Sequence, residues 1–139
     1  MKNTIILLTM LLFSGIGFAQ ESNNGKQLWA KSFLNEKAPE LTVETWISKK
    51  PDTEGKFVII DFWATWCGPC RKAIPELNEI AKEFSKDVVV IGISDEPVEK
   101  IKAMKEPVIE YYYGVDTKKT MDKILEIKGI PHVIIIDPK

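Results

Sequence analysis

Cys67 and Cys70 are the only cysteines in the 139-residue sequence, and they lie together in Trp66-Cys67-Gly68-Pro69-Cys70. Thiols at this spacing can form a structural bridge, ligate a metal or exchange electrons with another disulfide. A bridge across two intervening residues closes a very small loop and constrains the unfolded chain little. A structural zinc ion needs four ligands, and the chain adds only His132 to the two cysteines. Covalent haem attachment places histidine directly after the second cysteine, where this chain has Arg71. Neither a metal nor another cofactor is expected, and redox exchange remains.

The elements around the pair give that exchange a geometry. Phe57 to Phe62 is apolar on both faces except at Asp61, the pattern of a parallel strand covered by helices on both sides. From Pro69 onward, Ala73, Leu77, Ile80, Ala81 and Phe84 recur at helical steps to about Ser85, with Pro75 expected to kink the helix. Cys67 therefore stands where a helix begins, and unpaired N–H groups and the helix dipole there favour a thiolate. That makes Cys67 the attacking thiol. Cys70, one turn further in, is placed to attack the mixed disulfide and release the partner. Pro69 fixes the turn and Gly68 leaves the approach open.

Asp61 is costly in an apolar strand unless paired or held neutral. It admits two readings, a proton acceptor for Cys70 or a structurally hydrogen-bonded carboxylate. Gly129-Ile130-Pro131 is either an ordinary turn or a cis bond that would leave the Ile130 backbone open beside the cysteines. Trp63 reads as core and Trp66 as a surface for partner proteins, while Tyr111 to Tyr113 read as an exposed or half-buried sheet edge.

The rest of the chain supplies a single domain. Leu41 and Val43 alternate with polar neighbours in an edge strand within Glu40 to Ile47. Val88 to Ile93 completes a βαβ unit with the first buried strand. A helix from Val98 to Lys105, a strand from Val108 to Tyr113, a helix from Thr117 to Ile127 and a strand from Val133 to Ile136 follow. Asp137-Pro138-Lys139 is turn chemistry with no strand after it. The formal net charge of −1, without a basic run, argues against nucleic acid as a partner. Met1 to Ala19 has a basic start at Lys2, an apolar run from Ile5 to Phe13 and small residues at Gly17 and Ala19, a signal peptide cleaved after Ala19 or an uncleaved anchor. The expected divisions are a signal peptide over 1–19, an N-terminal extension over 20–37 and the domain over 38–139.

The string Asp61-Phe62-Trp63-Ala64-Thr65-Trp66-Cys67-Gly68-Pro69-Cys70-Arg71, with Pro75 and Gly129-Ile130-Pro131, resembles the thioredoxin superfamily. With the leader and Ala38-Pro39, it is most similar to exported TlpA/ResA-like thiol–disulfide oxidoreductases. The resemblance implies a thioredoxin-like three-layer α/β/α sandwich on a central mixed sheet, truncated here so that the last strand and helix are missing. It implies Cys67 as nucleophile, Cys70 as resolving thiol, Asp61 as buried acid and Pro131 as a cis-proline. Trp66, Gly68, Pro69 and Ile130 would meet the substrate. His132 stands where many relatives carry threonine, and either tunes Cys67 or faces solvent. The expected function is disulfide exchange with exported proteins outside the cytoplasm or in the periplasm, as a monomeric reductant. Its implied partners are a membrane electron donor and a client such as apocytochrome c. A thiol peroxidase on the same fold and a non-catalytic binding module are the rival readings.

Overall fold

The computed structural model describes residues 28–138. The leader over 1–19 and the first part of the extension lie outside them. Five strands form one mixed sheet in the order β1-β4-β3-β2-β5. They are β1 (Thr45–Trp46), β2 (Phe57–Phe62), β3 (Val88–Ser94), β4 (Tyr112–Val115) and β5 (His132–Ile136), with α1 (Gly68–Glu83), α2 (Val98–Ala103) and α3 (Thr120–Leu125) between them. The three central strands are parallel, and β1 and β5 flank them antiparallel.

Alternation along the central strands divides the core in two. On one face Ile59, Trp63, Val88 and Val90 pack with Ile74 and Leu77 of α1 and Ile101 of α2. On the other, Val58, Ile60, Phe62, Val89, Ile91 and Ile93 pack with Met121 and Leu125 of α3. This is the three-layer α/β/α arrangement expected from the sequence, since strands covered on both sides need no polar face. Helix α1 buries Cys70, Ile74 and Leu77, a stripe at four- and three-residue steps, with Pro75 inside the helix. No helix of the described residues is long and apolar enough to cross a membrane.

Several elements differ from the sequence expectation. The edge strand shrinks to the two residues of β1, and its partner approaches it closely: a Cβ on Gly114 would lie 2.6 Å from Val43 Cγ1. Strand β4 starts at Tyr112 rather than Val108 and pairs with both β3 and β1, so it is not an edge. The preceding segment, residues 106–110, is instead tied to α1. Arg71 Nη2 donates to Glu106 O at 2.7 Å, Asn78 Nδ2 to Val108 O at 2.9 Å, and Glu110 N–H to Asn78 Oδ1 at 2.8 Å. Helix α3 is shorter than its apolar pattern. Asp116 Oδ2 accepts from Met121 N–H at 2.8 Å at one end, and Glu126 closes the other at φ +50°.

Candidate active site

Cys67 is the N-cap of α1, and Cys70 lies in its first turn. The two sulfurs form a disulfide, and Cys67 Sγ also accepts the Cys70 backbone N–H at 3.3 Å. An N–H aimed at the first sulfur and an open helix end are what a thiolate at Cys67 needs when the bond is reduced. Cys70 is fully buried, at 0% exposure, whereas Gly68 and Pro69 are exposed and a Cβ at Gly68 would touch nothing within 4 Å. Gly68 and Pro69 therefore form the solvent-facing side of the turn between the two cysteines.

The loop before the cysteines separates the two tryptophans. Trp63 is buried beneath α1, and Trp66 is 68% exposed. Beside Trp66 runs a groove of about 450 Å³, bordered by Phe62, Ile93, Ile127, Gly129 and Ile130 and, on its polar side, by Asp95, Asp122 and Lys119. Lys119 pairs with Asp95 at 2.6 Å. Ile130 and Trp66 thus share one depression. The Ile130–Pro131 bond is cis. Pro131 is exposed and precedes His132, which pairs with Phe62 at the end of β2 that leads to the cysteines. His132 is on the opposite face of the sheet from α1, towards Asp122, whose carboxyl burial raises above its ordinary value against the lowering pull of Lys119 and, least, of His132.

Asp61 is the buried member. It lies between Gly92 of β3 and Val133 of β5 and is 1% exposed. The alternation of β2 points it to the α1 side, with Ile59 and Trp63. Burial pushes its carboxyl up to about 6, opposed by a hydrogen bond from Tyr111 Oη to Asp61 Oδ2 at 3.5 Å. A carboxyl titrating near neutral pH can both accept and return a proton.

Two residues of this neighbourhood escaped the sequence reading. Tyr111 is fully buried rather than part of an exposed or half-buried edge, and it is the polar partner of Asp61. Glu96 lies just before α2, and its buried carboxylate grips the active-site loop. It accepts Thr65 N–H at 2.5 Å and Thr65 Oγ1–H at 3.0 Å, and Lys100 Nζ pairs with it at 2.5 Å. Burial alone would push Glu96 up, but the bonds from Lys100 and Thr65 prevail and hold it below its ordinary value. The one cue in sequence was a polar Thr65 inside an otherwise apolar loop.

Comparison with known proteins places this geometry among relatives. Residues 34–139 match the AhpC/TSA family model. The thioredoxin-like protein YneN of Bacillus subtilis is 27% identical over 111 residues, covering 75% of this chain and 65% of that protein. The thiol-disulfide oxidoreductase ResA of the same organism is 25% identical over 108 residues, 73% of this chain and 60% of that protein. The chain thus spans under two thirds of either relative. The crystal structure of the thioredoxin domain of a thiol-disulfide oxidoreductase from Bacteroides vulgatus superposes with a TM-score of 0.53 at 33% identity, covering 61% of this chain and 65% of that one.

Proposed function

This chain belongs to the AhpC/TSA family, and from that premise we propose that it is a thiol–disulfide oxidoreductase that reduces disulfides of exported proteins. The observation that carries the reading is the Cys67–Cys70 disulfide at the start of α1, beside the groove shared by Trp66 and Ile130. A dithiol that closes on itself between an exposed tryptophan and an open backbone approach is built for a transient mixed disulfide, and the relatives described as thiol-disulfide oxidoreductases support the same chemistry.

The steps follow from the placement of the groups. In the reduced protein the Cys67 thiolate attacks one sulfur of a client disulfide. The client bond breaks, its electron pair stays on the second client sulfur, and Cys67 is joined to the client. Asp61 takes the Cys70 proton. The Cys70 thiolate then attacks Cys67 Sγ, the mixed bond breaks with its electron pair on the client sulfur, and the client leaves as a dithiol once both sulfurs are protonated. The protein is left two electrons poorer as the observed disulfide, and a membrane dithiol donor restores it. Trp66, Gly68, Pro69 and Ile130 line the client approach, and Pro131 borders it. The leader pattern of Met1 to Ala19 supports action outside the cytoplasm, with apocytochrome c one client of the right chemistry and the monomer the working unit.

Trapping tests the proposal. The Cys70→Ser protein lacks the resolving thiol and should hold exported clients as mixed disulfides that dithiothreitol releases. Recovery of no such adducts by the folded variant overturns the proposal. Peroxide-dependent turnover that survives Cys70→Ser would replace it with a peroxidase.

A further inference from the structure

Gly92 of β3 leaves a gap that two aromatic side chains fill. A Cβ there would lie 3.0 Å from Trp63 Nε1 and 3.0 Å from Tyr111 Cε2. The Tyr111 ring can therefore lie across β3 and reach Asp61, the residue that pairs with Gly92 in the neighbouring strand. The anchoring of residues 106–110 to α1 through Arg71 and Asn78 fixes where β4 begins relative to the helix that carries the cysteines.

We propose that Tyr111 is the positioning residue of the resolving step: its phenol donates to Asp61 Oδ2 and holds that carboxylate in the orientation and charge state in which it takes the Cys70 proton. The inference rests on the proton-acceptor reading of Asp61. The hydrogen bond favours the ionised carboxyl, against the burial that disfavours it. Burial and the Asp61 charge both push the Tyr111 phenol well above its ordinary value, so it remains a donor at every working pH.

The other elements around Asp61 offer no ionised competitor among the described residues. Strand β3 carries no charged residue between Val88 and Ser94, and Val133 of β5 is apolar. His132 lies on the opposite face. On α1, Arg71, Lys72 and Glu76 are exposed, and Arg71 reaches away to Glu106. Tyr113 of β4 packs in the same core cluster as Tyr111, half-buried, with its backbone carbonyl accepting Ser48 Oγ–H at 3.3 Å.

The test compares wild-type protein with Tyr111→Phe, which keeps the ring on Gly92 and removes the donor. Carbon-13 titration of the Asp61 carboxyl should show its midpoint rising by on the order of half a unit to one unit, the size expected for loss of one long hydrogen bond to a charged group. The acidic limb of the pH profile for single-turnover insulin reduction should rise with it. Tyr112→Phe, on the other face of the sheet, should move neither. An unchanged Asp61 midpoint in Tyr111→Phe overturns the inference and leaves the oxidoreductase reading standing. A wild-type pH profile in Asp61→Asn removes the proton acceptor itself, and the inference falls with it.

Discussion

Asp61 is the residue at which the site's chemistry and the fold's stability pull in opposite directions. Its carboxyl is raised from 3.8 to about 6 by burial, so the folded chain holds a proton that the unfolded chain releases earlier. The stability this contributes is fully present below about pH 4 and is lost as pH rises through about 6. At pH 7.5 the buried carboxylate is a net cost whose upper figure, from a difference of about two units, is roughly 3 kcal/mol. Asp61→Asn should therefore stabilise the protein at pH 7.5 by up to that amount, with the gain shrinking towards zero near pH 4. Urea unfolding of the two proteins at both pH values checks this. The same variant should slow client release by about 100-fold or more, the usual contribution of a general base. A destabilised Asp61→Asn protein at pH 7.5 would mark the carboxylate as structural.

Among the elements, β2, α1 and β3 were legible because each states its own period: a strand apolar on both faces, a helical recurrence from Ala73 to Phe84 that shares Leu77 with the buried stripe but misses Ile74 and includes the exposed Phe84, and a second apolar run. The cysteines and Asp61 came with them, since their positions depend only on where one strand ends and one helix begins. The start of β4 did not, because it is set by bonds from Arg71 and Asn78, over 30 residues away in sequence. Tyr111 and Glu96 were missed for that reason: their partners, Asp61 and Thr65, become neighbours only through sheet register and the β3–α2 connection. Strand β1 shows the same dependence on long-range packing, which makes it testable. Gly114→Ala would set a Cβ 2.6 Å from Val43 Cγ1 and 2.7 Å from the Thr45 backbone oxygen, and backbone cannot move aside as a side-chain tip can. The variant should lose about 1–3 kcal/mol, as overpacked sites do. Amide exchange should quicken at Ile47 and Ser48, whose N–H groups bond Tyr113 O, while β2 and β3 stay protected. Uniformly faster exchange throughout the sheet would show that β1 is not a separate unit.

For the molecule as a whole, the direction of electron flow is a question of which redox form the fold prefers. The oxidised pair is apolar and occupies a site where Cys67 and Cys70 are both buried within the α1-side core. Reduction replaces it with a thiolate at Cys67 and a thiol at Cys70, on the same side of the sheet as the Asp61 carboxylate. The α1 N-terminus and its N–H stabilise the Cys67 thiolate, while the reduced Cys70 thiol must be accommodated in a fully buried site on the side of the sheet that also carries Asp61. The closed pair fills that site without an unbonded thiol or an ion, so the oxidised fold should be the more stable at pH 7, and the disulfide correspondingly harder to reduce than one in an unstructured peptide. A protein poised this way gives electrons to its clients. Guanidinium unfolding of both redox forms, together with the equilibrium against a glutathione buffer, measures the two sides of the same cycle. A reduced form more stable than the oxidised one, with the potential raised to match, would make this protein an oxidant and reverse the direction of the proposed reaction.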